Sequence, residues 1–249
     1  TLKTNAASNV LTGVSGLTPN AAAIWTQPTT FARANPVTKE YQICFNCHSY
    51  NGLGTVINGV STIIGPSGVA ITDQALEFNP ANKSVHPVQV SANSQTGSGA
   101  PKALRANQMT AAWNSVGTQT MYCSDCHGND EVTSTTIPEG PHGSYNKHML
   151  KGTAASSATY WPYSSNGTTL WRLNDIRSNL NNWSTQMFCV NCHPMYSGGA
   201  WRTTVHEHHA EVSVTIGGKS YGGMPCVSCH TAVPHGSQRS RLITYVTDV

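Results

Sequence analysis

The sequence predicts a mostly irregular chain with short α-helices and a few short β-hairpins, built around internal apolar bodies larger than any side chain. Three observations lead there. Only 38% of the 249 residues are apolar and just four are Phe, a thin inventory for a core made of side chains alone. Thr, Ser, Asn and Gly are abundant and break up the periodic runs that long helices and strands need. All eight cysteines fall in one pentapeptide used four times: Cys44-Phe45-Asn46-Cys47-His48, Cys123-Ser124-Asp125-Cys126-His127, Cys189-Val190-Asn191-Cys192-His193 and Cys226-Val227-Ser228-Cys229-His230.

Cys-x-x-Cys-His is the attachment signature of a c-type haem. The two thiols of each motif bond to the porphyrin, and His48, His127, His193 and His230 become the proximal iron ligands. Eight cysteines could instead make four disulfides or zinc sites, but neither needs a histidine directly after every second cysteine. Histidine is 11 of 249 residues, so chance alone gives that pattern roughly a few times in a million. The chain reads as a tetrahaem cytochrome c with four covalently attached haem c groups, wrapped around a stacked chain of haems. It divides into an arm, residues 1–43, and a tetrahaem domain, residues 44–249.

Charged residues make up 10%, which weakens repulsion between copies and favours close association. Two propionates on every haem offset the formal charge of +3, so the holoprotein is expected near neutral or acidic and nucleic acid is not expected as a partner. No apolar run reaches the roughly 18 residues of a transmembrane helix. Thr1 is not followed by a signal-peptide pattern, so any leader is expected to have been removed. Haem is attached to cytochromes c in an exported compartment, which predicts an extracellular or cell-surface protein, with the periplasm as the alternative. Sequons at Asn82, Asn166 and Asn182 are compatible with export.

Residues 1–43 contain neither Cys nor His. Leu11, Val14, Leu17, Ile24, Trp25 and Phe31 predict that this arm packs on something, either its own haems or a neighbouring subunit. Lys39 to Tyr50 predicts a short helix carrying the first motif. Thr55 to Ile64 is β-branched around Asn58-Gly59, a hairpin signal. Pro101 to Trp113 is the best helix candidate, with Pro early and Ala, Leu and Met inside. Asn174 or Asp175 caps a second helix toward Cys189. Glu211 to Tyr221 alternates around Gly217-Gly218 and predicts another hairpin.

The second axial position of each iron separates carriers from catalysts. Seven histidines are left for four distal places: His86, His142, His148, His206, His208, His209 and His235. The surplus predicts bis-histidine ligation throughout. His235 follows His230 by five residues, at most ~17 Å of extended chain. That is too short to circle its own porphyrin, so a neighbouring haem is the better target. His206 and His209 share a face if their segment is helical, which leaves His208 spare. Glu207 and Glu211 either accept a ring N–H or form a solvated acidic face. The methionines read mainly as packing residues.

The stretch from Glu77 through Asn79-Pro80 to His86-Pro87-Val88, then Tyr122 to Gly128, then Gly140-Pro141-His142-Gly143, resembles the multihaem cytochromes of metal-reducing microbes. The ending from Cys226 to His230 and on to Val233-Pro234-His235-Gly236 follows the same pattern. With four haems and a polar, low-charge surface, the chain is most similar to the OmcE-like tetrahaem extracellular cytochromes, which polymerise into filaments. That resemblance implies a continuous haem stack from subunit to subunit and distal ligands at His86, His142, His206, His209 and His235. It also implies that one protomer's histidine can ligate the next protomer's haem, although residues 1–43 hold none to donate.

Three functions follow as expectations. The first is a head-to-tail filament that conducts electrons outside the cell to metal oxides or other cytochromes. The second is a monomeric periplasmic or surface shuttle between redox partner proteins. The third is a multihaem reductase, which would need an iron with an open site, so a non-enzymatic role is preferred.

Overall fold

A computed structural model of the chain describes residues 4–7, 11–53, 63–64, 70–71, 73–96, 104–128, 142, 149, 189, 192–193, 213–216, 219–222, 230 and 235–243. The chain divides into two compact units. The first comprises Thr1–Ala103, Val116–Cys123 and Val233–Val249, and the second Leu104–Ser115 and Ser124–Ala232. Residues 1–43, expected as an arm, fall in the same unit as 44–103.

In the first unit, strand β1 (Gly16–Pro19) pairs antiparallel with β2 (Phe31–Ala34), from Gly16↔Ala34 to Pro19↔Phe31. Helix α1 (Glu40–Cys44) packs beside β1. The approach is close enough that a Cβ on Gly16 would collide with the Gln42 carbonyl and the Val37 side chain, so glycine is required there. Lys39 is the N-cap in extended conformation, and Gln42 Oε1 accepts from the backbone N–H of Thr38 at 2.9 Å and Lys39 at 3.0 Å, half of a capping box. Gln42 Nε2 donates to Thr18 Oγ1 at 2.9 Å, and Asn46 Nδ2 to Ser15 O at 2.9 Å. One side-chain amide thus starts the helix and ties it to the ribbon. Helix α2 (Tyr50–Leu53) follows after a turn, so the expected helix over 39–50 is divided in two.

The connection from β1 to β2 lies against helix α3 (Gln74–Glu77) through side-chain amides. Asn79 Nδ2 donates to Ala23 O at 2.8 Å. Asn82, fully buried, donates to Leu76 O and Glu77 O at 2.9 Å and accepts from Trp25 N–H at 2.9 Å. Buried amides with every bond made fix one geometry, because leaving them unpaired away from water is costly. The Asn82 sequon is therefore structural, and the folded unit gives a sugar no access to it. The apolar anchors Leu17, Val37, Tyr41, Phe45, Ala75, Phe78, Val88 and Met121 are buried, whereas Val14 and Trp25 are exposed.

Asp73 caps α3. Its Oδ1 accepts from Ala75 N–H at 2.8 Å and its Oδ2 from Gln27 Nε2 at 3.0 Å. Burial pushes its carboxyl above the usual carboxylate range, against the pull of those bonds. The native state keeps the proton where the unfolded chain has released it. The stability from this group is full below the unfolded pKa of about 3.9 and is lost as pH rises through the raised folded value. Asp73→Asn keeps a cap acceptor and removes the ionisation. Its stability relative to wild type is expected to rise from about pH 4 to about pH 7 in paired urea titrations; a flat or falling difference contradicts burial as the cause.

Strands β3 (Ile63–Ile64) and β4 (Ala70–Ile71) pair as Ile63↔Ile71 and Ile64↔Ala70. Of the hairpin expected over 55–64 around Asn58-Gly59, only Ile63 and Ile64 are described, and their partners lie at 70–71. β5 (Ser84–Val85) pairs with β8 (Gly236–Ser237). Ser84 Oγ donates to Arg239 O at 2.5 Å and accepts from Leu242 N–H at 2.8 Å, which fastens the residues after β8 onto β5.

In the second unit the single helix expected over 101–113 is not formed. Residues 106–108 and 111–113 make separate 3₁₀ turns, with Arg105, Met109 and Thr110 extended between and before them. Thr110 N–H donates at 2.9 Å to Cys192 O, a tertiary partner in place of the carbonyl four residues back. β6 (Ser213–Ile216) and β7 (Lys219–Gly222) pair in the register Ile216↔Lys219, as the Gly217-Gly218 signal predicts. The helix expected after Asn174 lies outside the described residues.

Candidate haem-attachment sites

The first motif sits at the end of α1. Phe45, its second residue, is fully buried against Tyr41, with ring centroids 5.3 Å apart. Cys47 N–H donates to Cys44 O at 3.1 Å and His48 N–H to Cys44 O at 2.8 Å, so the pentapeptide is one helical turn. The third motif repeats those bonds: Cys192 N–H to Cys189 O at 3.2 Å and His193 N–H to Cys189 O at 2.9 Å. Cys123–Cys126 is helix α4. Positions i, i+3 and i+4 of a helical turn lie on one face, so the first and third turns present two sulfurs and an imidazole together, and helix α4 carries the two cysteines of the second motif.

That donor set fits covalent haem: the sulfurs would bond to one porphyrin edge and the imidazole would serve the iron. The six described cysteines, Cys44, Cys47, Cys123, Cys126, Cys189 and Cys192, are thiols, and all are solvent-accessible to some degree. Of the fourth motif, His230 is described and half-buried, while Cys226 and Cys229 lie outside the described residues.

The first unit holds the first cysteine of each of the first two motifs close together. The sulfurs of Cys44 and Cys123 and a carboxylate oxygen of Glu40 lie within 4.8 Å of one another. No spacing rule joins residues so far apart in sequence, and Glu40 was not among the residues expected at a site.

Two of the expected distal ligands also come together. The register Val85↔Gly236 continues to His86 opposite His235, with His86 N–H donating to His235 O at 3.0 Å. Opposed residues of an antiparallel pair leave the same face with Cβ atoms about 5 Å apart. His235 Nδ1 and Glu77 Oε2 share a hydrogen bond of 2.5 Å, and the imidazole ring lies 4.7 Å from that of Phe78. Sequence reasoning sought ring acceptors at Glu207 and Glu211, beside other histidines. Glu77 is 158 positions away and gives no local signal.

His142 is exposed and belongs to the second unit. His206 and His209, with His148 and His208, lie outside the described residues. No protein-family model, curated protein or solved structure matches the chain. What can be argued about function therefore comes from motif chemistry and local geometry. Among the described residues no helix is long and apolar enough to cross a membrane.

Proposed function

We propose that this chain is an exported tetrahaem c-type cytochrome that carries single electrons along closely spaced bis-histidine haems. It acts at the cell surface or beyond, assembled head to tail into a filament. The observation that carries the reading is the fourfold Cys-x-x-Cys-His motif, with the cysteines and histidine of the first and third copies on one helical turn. Haem, when bound, supplies a one-electron iron couple.

The residues then have separate tasks. Cys44 and Cys47, and their three counterpart pairs, fix each porphyrin edge. His48, His127, His193 and His230 take the proximal positions. His86 and His235 are opposed positions beside the β5–β8 pair, so they would serve two different haems and not opposite sides of one iron. His142, His206 and His209 are the remaining distal candidates. The proximity of Cys44 to Cys123 supports edge-to-edge closeness of the first two haems. A full set of histidines fills both axial positions and favours a carrier over a catalyst.

A monomeric shuttle is the second reading. It is favoured by the hydrogen bonds that tie residues 15–27 to their own unit through Asn46, Asn79 and Asn82. Those bonds remove the need for a neighbouring subunit to give the segment a purpose. Intact mass, the ferric spectrum and electron microscopy of purified protein test all of this. Four haem increments, an all low-spin spectrum and filaments are expected. Discrete particles would favour the shuttle, a high-spin fraction an enzyme, and an apo mass would end the haem reading.

A further inference from the structure

We infer that Glu77 is the positioning residue for His235, fixing the imidazole so that Nε2 is the atom offered to iron. This rests on the haem reading above. Neutral imidazole has one N–H and one lone pair, and the partner of the first decides where the second is. Here Nδ1 faces Glu77 Oε2 at 2.5 Å, a carboxylate that can only accept when ionised. The hydrogen therefore sits on Nδ1 and the lone pair on Nε2.

Glu77 is held as firmly as the ring it addresses. It is 8% exposed and closes helix α3. Its carbonyl, with that of Leu76, accepts both amide hydrogens of Asn82. On the other side β8 runs so close that a Cβ on Gly236 would fall on the Glu77 carbonyl oxygen, so the residue after His235 has to be glycine. The Phe78 ring lies against the imidazole at an interplanar angle of 39°, and His86 N–H holds the His235 carbonyl. The ring is thus fixed at its edge by charge, at its face by an aromatic and at its backbone by a ladder bond.

Carboxylate partners raise the basicity of a ligating imidazole and keep it oriented, and losing one typically costs 10–100-fold in metal affinity. A more basic ligand favours ferric over ferrous iron. A tenfold loss of that preference corresponds to 59 mV for a one-electron couple.

The test uses the haem-loaded full chain. Wild type is first weighed intact, because a haem-free mass would sink the haem reading and not this inference. Glu77→Gln keeps size and an acceptor oxygen while removing the charge. It is expected to carry four haems, stay low-spin and show one couple displaced upward by about 59 mV. Glu77→Ala is expected to move the same couple further and to add a high-spin fraction. His235→Ala identifies which haem loses its ligand, and that haem must be the one that moved. A four-haem Glu77→Gln protein with all couples unchanged overturns the inference, as does a shift in a different haem. Should the alanine variant fail to accumulate, the glutamine variant alone decides between these outcomes.

Discussion

Replacing Cys44 and Cys47 together by serine is expected to leave a full-length chain carrying three haems in place of four. The two sulfurs share one helical face with His48, so the double exchange removes both covalent anchors while the turn itself survives. Imidazole alone cannot retain the cofactor through unfolding and purification. Intact mass should fall by one haem, and the remaining couples should lose the contribution of their nearest neighbour. Thermal stability should fall as well, because on the proposed haem reading the porphyrin faces would supply much of the apolar area this polar chain buries. An unchanged mass would show that nothing is attached at this motif. A decrease matching a zinc ion would instead assign Cys44, Cys123 and Glu40 to a metal site.

Phe45→Ala is expected to cost about 3–5 kcal/mol of folding free energy, read as a lower urea midpoint. The side chain is fully buried, stacks on Tyr41 and lies between the two cysteines of the first motif. Its carbonyl accepts from Ser49 Oγ at 2.5 Å, which closes the turn behind His48. Phe45 is buried while the flanking Cys44 is half-buried and Cys47 exposed. The expected variant holds four haems but unfolds early. A loss below about 1 kcal/mol would mean that the covalent cofactor and not the ring fixes the turn.

The motif turns were legible because their chemistry is local: five consecutive residues carry both the donors and the backbone bonds that arrange them. The β6–β7 hairpin was legible for the same reason, since Gly217-Gly218 lies between its strands. The first unit was harder to read. Its N-terminal segment was expected to hold on by apolar residues, and Leu17 is indeed buried, yet Val14 and Trp25 are exposed, and Gln42, Asn46, Asn79 and Asn82 add polar attachments. Such amides look like ordinary loop residues in a sequence rich in them. The 101–113 helix was over-read because propensity ignores a tertiary acceptor, here the carbonyl of Cys192. The pairing of His86 with His235 and the reach of Glu77 to the same ring are long-range facts that no spacing rule carries.

The β5–β8 ladder also sets an order of events. Ser84 and Val85 find their partners about 150 residues further on. A chain emerging from its N-terminus displays the first pentapeptide long before the closing strand has been made. On the proposed haem reading, the attachment machinery would meet an open substrate, and the ladder of the first unit closes only once β8 has been made.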